Sequence, residues 1–111
     1  MAGYTIGQMN RFYHSGKKVT SRKALSGVRD ALVRKGENVV YYVWGNRIAT
    51  YNVMGRTLTV SSAGWETDLT KNRLNQVLPS GYYITQKKFI WYMKYPNGAM
   101  KPFRSGIRVR V

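Results

Sequence analysis

The sequence predicts an α+β fold in which two or three helices pack on an antiparallel sheet of about five strands. Runs of β-branched and aromatic residues alternate with glycine turns, and other stretches place apolar residues at helical spacing. A length of 111 residues with 43% hydrophobic content is sufficient for one modest core. We expect one domain over residues 1–111, made of an N-terminal segment (1–20), an α-β-β-β-α unit (21–78) and a C-terminal basic β-hairpin (82–111).

Two stretches in the first third have the spacing of helices. Residues 4–15 place apolar side chains at i, i+3 and i+7 and offer Thr5 as a cap. Residues 21–35 predict a longer helix, in which Asp30 would pair with Arg34. The apolar stripe of this second helix consists of Ala24, Leu25, Val28, Ala31 and Leu32.

The middle third predicts three antiparallel strands followed by a helix. The strands cover residues 39–44, 47–53 and 56–61, with Gly45-Asn46 as the first turn. Thr67 or Asp68 caps the helix that follows. We expect a core of Trp44, Leu58, Val60, Trp65, Leu74 and Val77, joined by Leu25, Val28 and Leu32 from the earlier helix.

The last third predicts a terminal hairpin with apolar residues on one face. Residues 82–95 form a long strand or a pair of strands, and residues 107–111 alternate without a break. Alternation predicts that Phe89 and Trp91 are buried. The opposite face, nearer to solvent, would carry Lys88, Tyr92 and Lys94.

Several classes of protein are excluded by composition. The chain has no cysteine, which excludes a disulfide scaffold and a zinc-thiolate site. No apolar run approaches the roughly 20 residues that a membrane helix needs, and the first residues lack the apolar centre of a signal peptide. We therefore expect a cytoplasmic protein with no membrane partner.

The charge is strongly positive and unevenly distributed. Lys and Arg number 19 against four acids, a net charge of +15. Residues 1–35 hold eight cations and one acid, and residues 87–111 hold seven cations and no acid. The centre, residues 36–86, holds four cations and three acids. A nearly neutral packing unit between two basic arms indicates a polyanionic partner, and a merely soluble basic protein is the alternative.

Candidate catalytic groups are few. Glu66 and Asp68 are the only close pair of carboxylates, and their place before a helix explains both as capping and dipole residues. His14, the single histidine, ends a short helix. We predict no catalytic residue, no metal ligand and no cofactor. One enzymatic alternative remains, a metal-independent ribonuclease in which Lys, Arg and Tyr stabilise the transition state and the RNA 2′-OH attacks.

Basic and aromatic residues interleave where the chain has no acid. Cations neutralise phosphates, and exposed aromatic rings stack on unpaired bases. A solvated face of a helix or sheet is the alternative for these residues. The predicted nucleic-acid-binding residues are Lys17, Lys18, Arg22, Lys23, Arg29, Lys87, Lys88, Tyr92, Lys94, Lys101, Arg104, Arg108 and Arg110.

Two resemblances add to these patterns. The predicted α-β-β-β-α order of residues 21–78 resembles double-stranded-RNA-binding domains and small toxin ribonucleases, although only Lys71 and Arg73 stand where the RNA-binding family has a lysine cluster. The toxins' catalytic histidine has no counterpart on the predicted strands. Separately, about a third of the chain is similar to small bacteriophage proteins, which implies a location in the host cytoplasm. The residues that carry this similarity are Trp44-Gly45, Ile48-Ala49, Trp65, Thr67, Thr70 and Arg73-Leu74-Asn75.

Together these observations predict a small, non-catalytic phage protein that binds DNA or RNA through phosphate contacts. The alternative is an inhibitor that binds an acidic host enzyme or defence complex. The ribonuclease is the third candidate.

Overall fold

A computed structural model describes residues 3–111, which form two antiparallel sheets and two helices. The helices are α1 (Ile6–His14) and α2 (Asp68–Val77). The strands are β1 (Val19–Ala24), β2 (Gly27–Lys35), β3 (Asn38–Val43), β4 (Asn46–Asn52), β5 (Thr57–Val60), β6 (Tyr83–Lys87), β7 (Ile90–Lys94), β8 (Met100–Pro102) and β9 (Ile107–Arg110). The α+β class is confirmed, with six strands in the main sheet instead of about five.

The main sheet is a meander that the last strand extends. Its order is β1-β2-β3-β4-β5-β9, and the smaller sheet has the order β6-β7-β8. One face of the main sheet belongs to the hydrophobic core, together with side chains from both helices and from the smaller sheet. The other face of the main sheet, here called the open face, carries neither helix.

Helix α1 forms where the sequence predicts it. Thr5 caps it in a capping box, since its hydroxyl accepts the Gln8 backbone N–H at 3.1 Å and the Gln8 side chain accepts the Thr5 N–H at 2.8 Å. Met9 and Phe12 are buried against the main sheet. The apolar spacing of residues 4–15 therefore describes a real amphipathic helix.

The predicted helix over residues 21–35 is wrong, because this segment forms the β1–β2 hairpin. Leu25 and Ser26 make the turn, and Gly27 follows with a φ of 132° that side chains with a Cβ rarely adopt. Leu32 pairs with Thr20 on β1 and with Tyr41 on β3, so the backbone hydrogen bonds of β2 go to two neighbouring strands. Two residues placed in the core, Leu25 and Val28, are exposed.

The order of elements differs accordingly from the predicted α-β-β-β-α layout. Five consecutive strands precede α2 in residues 19–77. The resemblance to double-stranded-RNA-binding domains and toxin ribonucleases depended on a first helix that the structure replaces with two strands, and it is not confirmed.

Most of the predicted core around the meander and α2 is confirmed. Buried residues include Leu32, Leu58, Val60, Leu74 and Val77. The two tryptophans are the exceptions, with Trp44 43% exposed and Trp65 57% exposed. Trp44 has a φ of 48° in the two-residue turn before Asn46, so the turn is Trp44-Gly45 instead of Gly45-Asn46. A side chain at the tip of a hairpin cannot reach the centre of the sheet.

The C-terminal third divides between the two sheets. Strands β6 and β7 form a hairpin, but β9 pairs with β5 and thereby joins the main sheet. The predicted single terminal hairpin is therefore wrong in its pairing. Trp91 is buried as predicted, whereas Phe89 is 90% exposed because it lies in the β6–β7 turn.

Candidate nucleic-acid interface

A buried carboxylate binds two arginines, Arg29 of the predicted phosphate-binding set and Arg73 on α2. Asp30 is fully buried and accepts hydrogen bonds from Arg29 Nε at 2.9 Å and from Arg73 Nε at 2.9 Å. The Tyr41 hydroxyl donates to Asp30 Oδ1 at 2.7 Å. Arg73 lies on α2, so this network joins the helix to β2 and β3. The pairing of Asp30 with Arg34 that a helix would allow is wrong.

A β-bulge explains why adjacent residues form an ion pair. Arg22 pairs with Asp30 and Lys23 with Val28, which leaves Arg29 as the extra residue on β2. The two residues of a bulge direct their side chains to nearly the same side of a sheet. Arg29 consequently reaches its neighbour Asp30 and is only partly exposed.

Arg22 is also engaged in the fold. Its guanidinium donates to the Gly3 carbonyl at 2.8 Å and lies 4.4 Å from the centre of the Tyr4 ring. Arg22 and Arg29, both predicted to contact phosphates, therefore make structural contacts on the core side of the main sheet.

Burial changes the chemistry of Tyr41 in this network. Its ring is fully buried, and its hydroxyl accepts the Tyr4 backbone N–H at 3.2 Å. Loss of solvent and the hydrogen bond to the negative Asp30 raise the pKa of the Tyr41 hydroxyl far above its ordinary value of 10.0. Tyr41 thus serves as a neutral hydrogen-bond donor to a buried carboxylate.

The strand residues on the open face of the main sheet include cations and no acid, and the exposed Glu37 lies in the β2–β3 turn at the end of this face. Alternation and register place five cations there, one or two on each of four strands. Three belong to the predicted set, and two others, Lys35 and Arg47, were missed. These cations are Lys23, Lys35, Arg47, Arg108 and Arg110.

Over β4, β5 and β9 the open face is polar and shallow, whereas over β1–β3 it also carries Val19, Val33 and Val40. Thr50 pairs with Thr59, which pairs in turn with Arg108. A depression of about 330 Å³ lies among these residues, Asn38, Asn52 and Thr57. The Lys35 ammonium donates to the Tyr42 hydroxyl at 3.0 Å. Hydroxyl, amide and guanidinium donors are the groups that bind phosphate and sugar oxygens.

The outer face of the smaller sheet is the second surface without an acid. Ile84 and Met93 point into the core, so the residues that alternate with them face outward. Lys87, Tyr92 and Lys94 of the predicted set lie on this outer face. The same outer face carries residues that sequence reasoning did not assign to a binding surface, namely Tyr83, Ile90, Met100 and Pro102.

Lys88 and Phe89 form the tip of the β6–β7 hairpin. Lys87 pairs with Ile90, and the two residues between them have φ values of 50° and 67°. This is the pattern of a type I′ turn, which glycine or asparagine usually occupies. The other predicted residues, Lys17, Lys18, Lys101 and Arg104, are exposed at other places on the surface.

The two acids near α2 accompany a different kind of surface. An apolar groove of about 530 Å³ lies between Trp44 and Trp65, with Leu69 in its wall. Glu66 and Asp68 are exposed beside Trp65. Thr67, one of the two predicted caps, caps α2 by accepting the Thr70 N–H at 3.2 Å. Because no charged side chain lines the groove and two acids adjoin it, this surface is less suited to phosphate than the two acid-free faces.

Within residues 3–111, no three His, Cys, Asp or Glu side chains come close enough to hold a metal ion. None of the helices in this part of the chain has the length and apolar content to span a membrane.

Comparison with known proteins identifies the family. No curated protein and no solved structure matches the chain. The model of one family, described as Kyanoviridae Gp96 protein, matches residues 7–110. This range includes all nine strands and both helices, apart from Ile6 at the start of α1. The match confirms the predicted resemblance to small bacteriophage proteins. The chain belongs to the Kyanoviridae Gp96 protein family of bacteriophages.

Proposed function

We propose that this phage protein binds nucleic acid, mainly through phosphate contacts and without catalysis. The observation that carries the proposal is the segregation of charge by face. Of the four acids in the sequence, Asp30 is buried between two arginines, and Glu66 and Asp68 lie near the start of α2. Glu37 is exposed in the β2–β3 turn, at the end of the open face. The strand residues on the open face of the main sheet and on the outer face of the smaller sheet include cations and no acid.

Such a distribution supports binding to an extended polyanion. Each lysine or arginine that neutralises a phosphate releases a condensed counterion, so affinity falls steeply as salt rises. A buried acid does not reduce this effect, because its charge is already balanced by Arg29 and Arg73. The hydroxyl and amide groups of the open face would add neutral hydrogen bonds to the backbone of the nucleic acid.

The test is a salt series with a variant of the open face. Replacing Arg47, Arg108 and Arg110 with Gln should flatten the slope of log affinity against log salt by about two to three units, since each lost phosphate contact contributes about 0.7–0.9. Fluorescence anisotropy of labelled DNA and RNA would measure the slope.

Lys71→Gln is the matched control for this series. Lys71 belongs to α2, and its ammonium lies 3.6 Å from the Asp68 carboxylate. Because this cation is paired with an acid and belongs to neither sheet face, its loss should leave the slope unchanged. An unchanged slope in the triple variant would show that the open face does not contact phosphates.

A second candidate function is inhibition of a host enzyme or defence complex by protein binding. The exposed Trp44 and Trp65 beside an apolar groove favour it, because tryptophan is enriched at the centres of protein interfaces. Failure to bind any nucleic acid at low salt would favour this second candidate over the first.

A further inference from the structure

We propose that the β6–β7 hairpin is a base-stacking finger with Phe89 as its ring, and that the protein therefore prefers single-stranded nucleic acid. The proposal rests on the proposed function and names the form of nucleic acid that the protein would take. Three features of the hairpin support it: the conformation of its tip, the rigidity of its base and the charges around it.

The tip exposes an aromatic ring in a backbone conformation that is unfavourable for it. Phe89 is 90% exposed at a φ of 67°, and Lys88 precedes it at 50°. Residues other than glycine and asparagine seldom adopt this region, and strain of this kind concentrates at functional sites. A polar Asn-Gly turn would close the same two-residue loop without strain and without an exposed ring.

The base of the hairpin is held firmly. Trp91, Met93 and Ile84 are buried in the core shared with the main sheet. Asn75 on α2 accepts the Ile84 N–H at 2.7 Å and donates to the Ile84 carbonyl at 3.0 Å, so it pairs with the edge of β6 as a strand would. A ring on a rigid base loses little conformational entropy when it binds a partner.

The surroundings of the ring complement a single strand. Lys87 and Lys88 adjoin Phe89, and Tyr83 and Tyr92 lie on the same outer face of the sheet as Lys87. No acid follows Asp68 in the sequence, so no carboxylate of this hairpin repels a phosphate. The faces of bases in a duplex are already stacked on their neighbours, whereas unpaired bases offer theirs to an aromatic ring.

The experiment compares two labelled single strands, an oligothymidylate DNA and an oligouridylate RNA, with a mixed-sequence duplex at low salt. Phe89→Ala should weaken single-strand binding by roughly 5- to 150-fold and leave duplex affinity unchanged, because only the stacking contact is lost. Phe89→Leu should weaken it in the same direction, since it keeps an apolar side chain without a ring. Phe89→Trp should retain single-strand affinity.

Leu25→Ala is the matched control, because Leu25 is also a fully exposed apolar residue at a hairpin tip. It should leave both affinities unchanged. Both tips face solvent, so all of these variants should melt close to the wild type.

The outcomes separate this proposal from the proposed function. Unchanged single-strand affinity in Phe89→Ala, with a steep salt slope still present, would overturn the finger and leave phosphate binding intact. An equal loss for single strand and duplex would also overturn it. Absence of binding to every nucleic acid at low salt would overturn both, and a protein partner would then be the better explanation for the exposed ring.

Discussion

At the scale of single residues, the acid in position 30 has the largest structural effect. Removing a carboxylate from water is costly unless cations and hydrogen bonds compensate it, and Asp30 receives two arginines and a tyrosine. As a result, the only acid of residues 1–35 is withdrawn from the surface. The surviving surface charge of this basic arm is purely positive.

Tyr41 makes this network dependent on pH. Tyr41→Phe should cost about 1–3 kcal/mol in the free energy of unfolding at neutral pH, because Asp30 loses a buried donor and the Tyr4 N–H loses its acceptor. The pKa of the Tyr41 hydroxyl is raised in the folded state, so its contribution is fully present below the ordinary value of 10.0 and is lost as pH rises above it. The difference between wild type and variant should therefore narrow above about pH 10.

Urea unfolding of both proteins at neutral and alkaline pH would measure this difference. The comparison cancels the titration of the lysines and of the other tyrosines, which both proteins share. A difference that grows in alkali would contradict the assignment of a raised pKa to Tyr41.

At the scale of elements, the sequence predicted correctly the strands whose residues alternate regularly and the helices that begin at a clear capping residue. Alternation of Leu58 and Val60 and the capping residues Thr5 and Thr67 led to the observed β5, α1 and α2. Residues 21–35 do not alternate regularly, because a bulge at Arg29 interrupts β2 and the charged Asp30 faces the core, so the helical spacing of Leu25, Val28 and Leu32 was the pattern that the sequence offered. Tertiary pairing with β3 selects the strand.

The regularity of alternation also explains which site residues could be predicted. Arg108 and Arg110 lie on β9, whose residues alternate regularly, and both are on the open face as the alternation predicts. The helical interpretation placed Arg22 and Arg29 opposite the apolar stripe, where they could contact phosphates, whereas β1 and the bulge on β2 direct them to the core side. A bulge depends on the partner strand, so local sequence could not reveal it.

Gly27 distinguishes the hairpin from a helix by experiment. Gly27→Ala should destabilise the protein by about 1 kcal/mol or more, because the φ of 132° is strained for any residue with a Cβ. In a helix, the same change would stabilise by up to about 1 kcal/mol.

Gly7→Ala on α1 is the control, since a Cβ there would meet other atoms no closer than 3.7 Å. It should stabilise by about 0.5–1 kcal/mol. Stabilisation by both substitutions in thermal or urea unfolding would contradict the β1–β2 hairpin.

At the scale of the whole molecule, the fold sorts charges that the sequence scatters. Glu66, Asp68 and the exposed tryptophans adjoin one groove, whereas the cations of β9 and of the β6–β7 hairpin occupy two acid-free faces. The two basic arms of the sequence therefore do not correspond to two arms of the structure. Residues 87–111 contribute to both faces, because β7 belongs to the smaller sheet whereas β9 pairs with β5 in the main sheet.

This division predicts how much of the binding depends on the smaller sheet. Replacing Lys87, Lys88 and Lys94 with Gln should lower the slope of log affinity against log salt by up to about two to three units, with a similar loss for every sequence. Phosphate contacts carry no base code, which is why the loss should not depend on sequence. Titrations of several oligonucleotides at a series of salt concentrations would measure it.

The triple lysine variant should retain the part of the slope that the open face contributes, and Phe89→Ala should keep the full slope while it loses single-strand affinity. Charge and stacking would then be separable on one hairpin. An unchanged slope in the lysine variant would show that the smaller sheet does not contact phosphates. The open face, or a protein partner at the groove between Trp44 and Trp65, would then carry the interaction.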